Sequence, residues 1–440
     1  MKASPIRNHY TVAAVFLLLL SCYLGVAWLV YAPRDYYERD GPRLSDPWKD
    51  RTKVILRGEN VYIGTKLPTT TPPLSNYLLV IPTAAALQCW ANPWATFCYM
   101  LYFSAFCLFS AWLLAAMGQT PRRGLLAAIT FLLSPLTLGN AVLRRQDEAI
   151  LVFFVGAVLY FMSRRRRVLA CVTLGAALLV KLGAVLLIPF ALLYRRKPTR
   201  PSADDTHALP SALLSSIDWH YVWIPLLVFL LGFAPFWLGA WRADNIRAAI
   251  IWDSQTRGKQ HLKQLAGLSP WNLVFKRLTS SAPGELGLLK AVMGYEDFDE
   301  TGWDDARREH EHEIRKARYI RRALCCLALA LALAVALVAW RRFDMMLGMS
   351  VILATALLLT TKLHVGYFSL LAFTLAPPAC RKWYLFLLYV LSGGLLIRAD
   401  FCKFPNGDMQ SAAMWMAAAV VTVLILLTVL VVQNWQRAAE

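Results

Sequence analysis

The chain has 440 residues, of which 58% are hydrophobic and only 17% charged, with a mean hydropathy of +0.46. Soluble domains carry about a quarter charged residues, whereas here the apolar residues come in blocks long enough to span a bilayer, which excludes an ordinary soluble domain. The net charge of +19 does not indicate nucleic acid as a partner, because the basic residues sit largely in short loops between apolar blocks, where they orient a membrane protein and meet anionic headgroups.

In chain order, the expected first element is a retained apolar helix, Tyr10–Tyr31, since no small-residue cleavage site follows it. It starts inside, behind Met1-Lys2 and Arg7, and delivers the first polar segment to the outside. Asn76–Leu87 is too short to span and reads as interfacial or re-entrant. Trp94–Met117 returns inside to Arg122-Arg123, Leu125–Leu143 crosses out, and Ala149–Met162 comes back to Arg164–Arg167. An apolar hairpin, Val168–Tyr194, is broken by Lys181 at its outer tip. Tyr221–Trp241 crosses out, and Ala323–Trp340 comes in to Arg341-Arg342. Met345–Thr361, Val365–Pro377, Trp383–Leu396 and Ala412–Val432 complete the series. The expected fold is therefore all-α and polytopic, a bundle of about 10–13 transmembrane helices whose outer loops carry short amphipathic helices. Residues 1–440 form one integral membrane domain, with a first outer loop over 32–77, a cytoplasmic linker over 195–220 and a large outer loop over 242–322. The nine cysteines lie mostly in apolar blocks without a CxxC pair or a His/Cys cluster, so neither a zinc site nor a disulfide framework is indicated.

This topology gathers Asp46, Asp50, Arg144, Arg145, Gln146, Asp147, Lys181, Asp253, Arg257, Lys362 and His364 on the outer face. Ionisable groups at the membrane are costly, so each is a candidate for function beside a simpler role. Asp46, before Pro47, caps a short helix that Gly58 stops, or acts as general base at the rim of a cavity. Asp50 is a dipole-favoured charge in the first turns or shares that role. Lys181, Lys362 and His364 snorkel to the surface or hold a lipid phosphate. Arg144-Arg145 anchor a helix end, with Asp147 as their salt-bridge partner. Asp297-x-Asp299 in the acidic run 295–305 is a literal D-x-D of a kind common in acidic loops. No P-loop, GxSxG, HExxH or Rossmann glycine pattern occurs in a plausible setting.

The first outer loop, DPWKDRTKVILRGENVY followed by TTTPPLSNYLL, resembles that of the GT-C membrane glycosyltransferases. The likeness is to polyprenol-phosphate-sugar-dependent mannosyltransferases of glycosyltransferase family 87 and, more distantly, to the first mannosyltransferase of GPI-anchor synthesis. Asp46, Asp50, Gly58, Tyr62, Pro72, Pro73 and Leu74 fall in the family's order. SPLTLGNAVLRRQDEAILVFF with Gln146-Asp147, LGAALLVKLGAVLLIPFALL with Lys181, and TTKLHVGYFSLLAF with Lys362 and His364 are similar to its later segments. Val61 stands where the family has proline, and its D-x-D is stretched to Asp46-x-x-x-Asp50.

The resemblance implies an inverting glycosyltransferase that moves a hexose, mannose first, from a polyprenyl-phosphate donor to a lipid-linked or glycan acceptor. It implies Asp46 or Asp50 as catalytic carboxylates, and Lys181, Arg145, Lys362 and His364 around the donor phosphate. Tyr62, Gln146, Asp147 and Arg257 would bind substrate. No cofactor is required by this chemistry and no metal ligand is assigned, although the D-x-D likeness leaves Mg or Mn open. The expected place is a bacterial inner membrane with the site outward, or the ER membrane with the site in the lumen. Partners are the donor, the acceptor and membrane lipids, with no nucleic acid. A transporter or flippase for a lipid-linked glycan, or an inactive homologue, is the competing expectation.

Overall fold

The computed structural model describes residues 48–62, 71–88, 92–144, 146–194, 218–237, 344–359, 365–403 and 409–439, with scattered helical positions over 10–25 and 323–334. Every regular element among them is helical. We label them α1 (48–56), α2 (Pro73–Leu78), α3 (Val80–Gln88), α4 (Asn92–Met117), α5 (Pro121–Leu132) and α6 (Pro135–Leu138), which a π-helical turn, Gly139–Leu143, continues. Then come α7 (Glu148–Ser163), α8 (Arg167–Val180), a 3-10 turn (Leu182–Leu187), α9 (Ile188–Tyr194), α10 (His220–Trp237) and α11 (Met345–Leu359). A second 3-10 turn (Val365–Tyr367), α12 (Phe368–Ala379), α13 (Trp383–Lys403) and α14 (Met409–Ala439) follow.

Three of these helices contain stretches long and apolar enough to cross a membrane: Phe97–Met117, Trp383–Cys402 and Ser411–Gln436. Pro121–Leu132 and Pro135–Val142 together would make a fourth, bent by 55°. The helices turn apolar side chains outward as well as inward. Leu227 and Leu231 on α10, Leu387 and Leu391 on α13, and Val421 and Ile425 on α14 are all exposed. Exposed aliphatic faces of this extent are unfavourable in water and suit lipid. The class is that of an α-helical membrane protein.

Several boundaries differ from expectation for local reasons. The expected single crossing Leu125–Leu143 is broken at Ser134-Pro135. Pro135 cannot donate to the helical ladder and forces Ser134 to extended angles (φ −62°, ψ 122°). Beyond the break the chain continues with π geometry, Arg144 N–H bonding to Gly139 O at 2.7 Å. Trp383–Leu396 continues to Lys403, its added turn carrying Asp400, which is ion-paired with Arg144, and Ala412–Val432 extends over Met409–Ala439.

Asn76–Leu87 is indeed no crossing. It forms α2 and α3, which run antiparallel to α4, Tyr102 hydroxyl donating to Leu78 O (2.7 Å) and Tyr99 hydroxyl to Thr83 Oγ1 (2.8 Å). Tyr102 lies about 15 Å along α4 from Asn92, so the pair packs along the first part of α4. The large loop 242–322, with Asp297-x-Asp299, and most of the linker 195–220 lie outside the described residues.

Charge divides the body into two ends. At one, Arg164 bonds Ala116 O at 2.9 Å, Arg381 pairs with Asp344 at 2.7 Å, and Arg167 meets Asp218 and His220. Arg122, Arg123, Arg165, Arg166 and Lys382 belong to the same turns. The other end holds Arg51, Arg144, Asp147, Glu148, Lys181 and Asp400. The 16 residues of α7 separate the two by about 24 Å.

Small residues let the helices meet closely, as membrane helices require. A Cβ at Gly175 of α8 would lie 2.5 Å from Val228 Cβ and 3.0 Å from Pro225 O, both on α10. Gly175→Ala is therefore expected to push the two helices apart and to cost about 1–3 kcal/mol. Thermal unfolding of the detergent-solubilised protein measures it, and an unchanged midpoint would contradict this packing.

Candidate functional site

The second end is built from the first loop upward. α1 packs by Trp48 against Tyr99 (5.4 Å between ring centroids) and Phe103 (6.0 Å) of α4. Its stop is Gly58, whose φ of +71° is the left-handed conformation that glycine adopts freely. Glu59 N–H then bonds back to Val54 O at 3.1 Å. Asn60 Oδ1 accepts from Tyr62 N–H (2.9 Å) in an Asx turn, which sends the Tyr62 ring into α10. There it stacks on Phe233 (6.3 Å) and meets Phe236 edge-on (4.9 Å), while its hydroxyl donates to Thr71 O (3.1 Å).

The loop closes on itself at Thr71. Asn76 Nδ2 donates to Thr71 O at 3.0 Å. Arg51 Nη1 donates to Thr71 Oγ1 (3.1 Å) and to Asn76 Oδ1 (3.4 Å). Burial lowers the pKa of the guanidinium, and the charges of Asp147, Tyr62 and Asp50 oppose that shift. Burial first, then Tyr77, raises the Tyr62 phenol far above its usual value, so it stays a neutral hydrogen-bond donor.

Arg51 thus shares a neighbourhood with the start of α7. Lys181, the only charged residue between Val168 and Tyr194, leaves α8 in extended conformation (φ −151°, ψ 135°). Its Nζ reaches Asp147 Oδ1 at 2.7 Å and Glu148 Oε1 at 2.6 Å. Glu148 Oε2 is buried with no hydrogen-bond partner among the described residues. Gly366 abuts this carboxyl so closely that a Cβ would come within 2.7 Å of Glu148 Cδ. Tyr367 lies within electrostatic reach of Lys181, Glu148 and Asp147. A second buried pair, Arg144–Asp400, ties the π-helical turn to α13. Asn140 of that turn donates to Ser369 Oγ on α12 at 2.6 Å.

Of the residues singled out from the sequence, the described ones (Asp50, Tyr62, Arg144, Gln146, Asp147 and Lys181) lie at this end. Gln146 N–H bonds Asn140 O at 2.7 Å, in the turn that leads to Asp147. Asp46, Arg145, Asp253, Arg257, Lys362 and His364 lie outside the described residues. One pairing is corrected: Asp147 does not serve Arg144. It binds Lys181, and Arg144 binds Asp400.

Sequence reasoning passed over Arg51, Asn76, Glu148 and Asp400. Adjacent carboxylates opening an apolar helix, and a lone lysine in an apolar hairpin, were the available signal, since buried charges require partners. Among the described residues no three His, Cys, Asp or Glu side chains converge as a metal site.

Neither the family models nor the curated proteins compared with this sequence give a match. Fold and site together define an α-helical membrane protein with a hydrogen-bonded ionic cluster at the end away from its basic turns.

Proposed function

We propose that this chain is an integral membrane glycosyltransferase that moves a hexose, mannose first, from a polyprenyl-phosphate donor to a lipid-linked or glycan acceptor. The observation that carries the proposal is the segregation of Asp50, Arg51, Tyr62, Asp147, Glu148 and Lys181 at one end of an apolar helical body, beside the short helices α2 and α3. A donor of this kind keeps its tail in lipid and its phosphate at the membrane rim, which calls for polar groups at one face only. The motif resemblance of the first loop supports the same assignment. The reading keeps a bundle of about 10–13 spans with the basic end inside, in which the helix broken at Ser134-Pro135 counts as one crossing.

In the reaction, the acceptor oxygen attacks the anomeric carbon as the bond from that carbon to the phosphate oxygen breaks. The electron pair leaves with polyprenyl phosphate, and the acceptor proton passes to a carboxylate of the first loop, Asp46 or Asp50. Attack opposite the leaving group inverts the anomeric centre. Fixed positive charge near the departing phosphate lowers the barrier, and a dry, packed site protects the donor from hydrolysis.

The test compares sugar transfer by the wild type with Asp46→Asn and Asp50→Asn. Asparagine keeps size and most capping ability, so the base variant is expected to lose at least about 100-fold in turnover at normal expression. Full activity in both variants would remove these carboxylates from the chemistry.

A further inference from the structure

We infer that Arg51, rather than Lys181, is the side chain that holds the phosphate of the lipid-linked donor. The inference rests on the reading above and deepens it. Three cations at this end of the molecule have described side-chain partners, and those partners differ in kind. Lys181 is held between two carboxylates, Asp147 at 2.7 Å and Glu148 at 2.6 Å. Arg144 is buried and paired with Asp400. An anion approaching either would have to displace an existing ion pair or sit beside net negative charge.

Arg51 differs from both. Its two hydrogen bonds go to neutral oxygens, Thr71 Oγ1 and Asn76 Oδ1, and both use Nη1. No carboxylate among the described residues lies within ion-pair distance of it, so none of these neutralises its charge by direct contact. With both bonds on Nη1, Nε and Nη2, which have no hydrogen-bond partner among the described residues, can donate as a parallel pair. Two such donors match two oxygens of one phosphate, a fit that an ammonium group cannot reproduce. The group gives no proton in the reaction; it binds the phosphate before the sugar leaves and the same phosphate, more negative, afterwards. Lys181 keeps a positioning role, joining the start of α7 to the end of α8.

The chemistry recognised is a phosphate ester on a lipid, which a prenyl chain or a glycerolipid could supply. Binding is therefore measured by native mass spectrometry of the detergent-solubilised full chain with three probes: a polyprenyl phosphate without sugar, the matching polyprenol, and phosphatidylglycerol. Arg51→Gln is expected to weaken polyprenyl-phosphate binding by about ten-fold or more, the loss of a charge-assisted hydrogen-bonded pair. Polyprenol and phosphatidylglycerol should bind as they do to the wild type. Unchanged polyprenyl-phosphate binding overturns the inference. An equal loss for phosphatidylglycerol also overturns it, since Arg51 would then serve bulk headgroups.

Should Arg51→Gln not fold, Arg51→Lys decides on the same readout, because it keeps charge but lacks the fork. About three-fold weakening is expected there, and wild-type binding overturns the inference. The two levels fail separately. Arg51-dependent polyprenyl-phosphate binding without sugar transfer would sink the transferase and leave the phosphate site. Sugar transfer by the wild type with Arg51-independent binding would do the reverse.

Discussion

Lys181→Met is expected to lower stability by about 3 kcal/mol, far more than its position in an apolar hairpin would suggest. Methionine retains the length and apolar stem of lysine, so packing is nearly conserved. What is lost is the ammonium shared by Asp147 and Glu148. Glu148 is 6% exposed and already has one buried oxygen without a partner among the described residues. Removing Lys181 strands two carboxylates with little water to solvate them, which is the costly way to break a buried pair. Glu148→Gln alone is expected to cost less, because an amide is neutral and still accepts from Lys181. Adding Glu148→Gln to Lys181→Met should recover part of the loss. Thermal unfolding of the four proteins in one detergent measures the cycle. Equal midpoints for the wild type and Lys181→Met would mean that the triad contributes nothing.

The second large effect is expected at Arg144. It is 7% exposed, and its Nε pairs with Asp400, whose side chain is 15% exposed. Arg144→Met leaves Asp400 in the membrane-facing body without its cation, at a cost of about 3 kcal/mol. Asp400→Asn, which keeps a hydrogen-bond acceptor for the guanidinium, is expected to cost about half as much. The reach into function is separate. Arg144 closes the π-helical turn from which the chain passes directly to Gln146, Asp147 and Glu148. Arg144→Met is therefore expected to reduce turnover even at temperatures where it remains folded. Normal stability in this variant would contradict the role given to the pair.

Much of this architecture was legible in the sequence, and what escaped has a common cause. Apolar block length located α4, α7 and α14, and basic clusters between blocks grouped the turns at Arg122, Arg164–Arg167 and Arg381 at one end. The stop at Gly58, the short helices over Asn76–Leu87 and the break at Lys181 follow from turn chemistry, helix length and an isolated charge. Partners do not follow. Arg144 and Asp400 are 256 positions apart, and Asp147 and Lys181 are 34 apart. Hydropathy says which segments enter the bilayer but not which of them touch. Asp147 was therefore paired with its neighbour in sequence instead of its neighbour in space. The π-helical turn was hidden for a related reason: 139–143 has the composition of an ordinary helix, and its geometry answers to contacts with α12 and α13. Arg51 escaped because its oxygen partners, Thr71 and Asn76, carry no charge to advertise the contact.

The most direct test of the proposed function follows donor cleavage and sugar movement together in proteoliposomes. The purified protein would be reconstituted with polyprenyl-phosphate-mannose labelled in the sugar, with membrane acceptor lipids present. The glycosyltransferase account predicts that label reaches the acceptor while one polyprenyl phosphate is released for each sugar moved. Intact labelled donor crossing the bilayer with no release of polyprenyl phosphate would contradict it and make the protein a carrier of lipid-linked sugar.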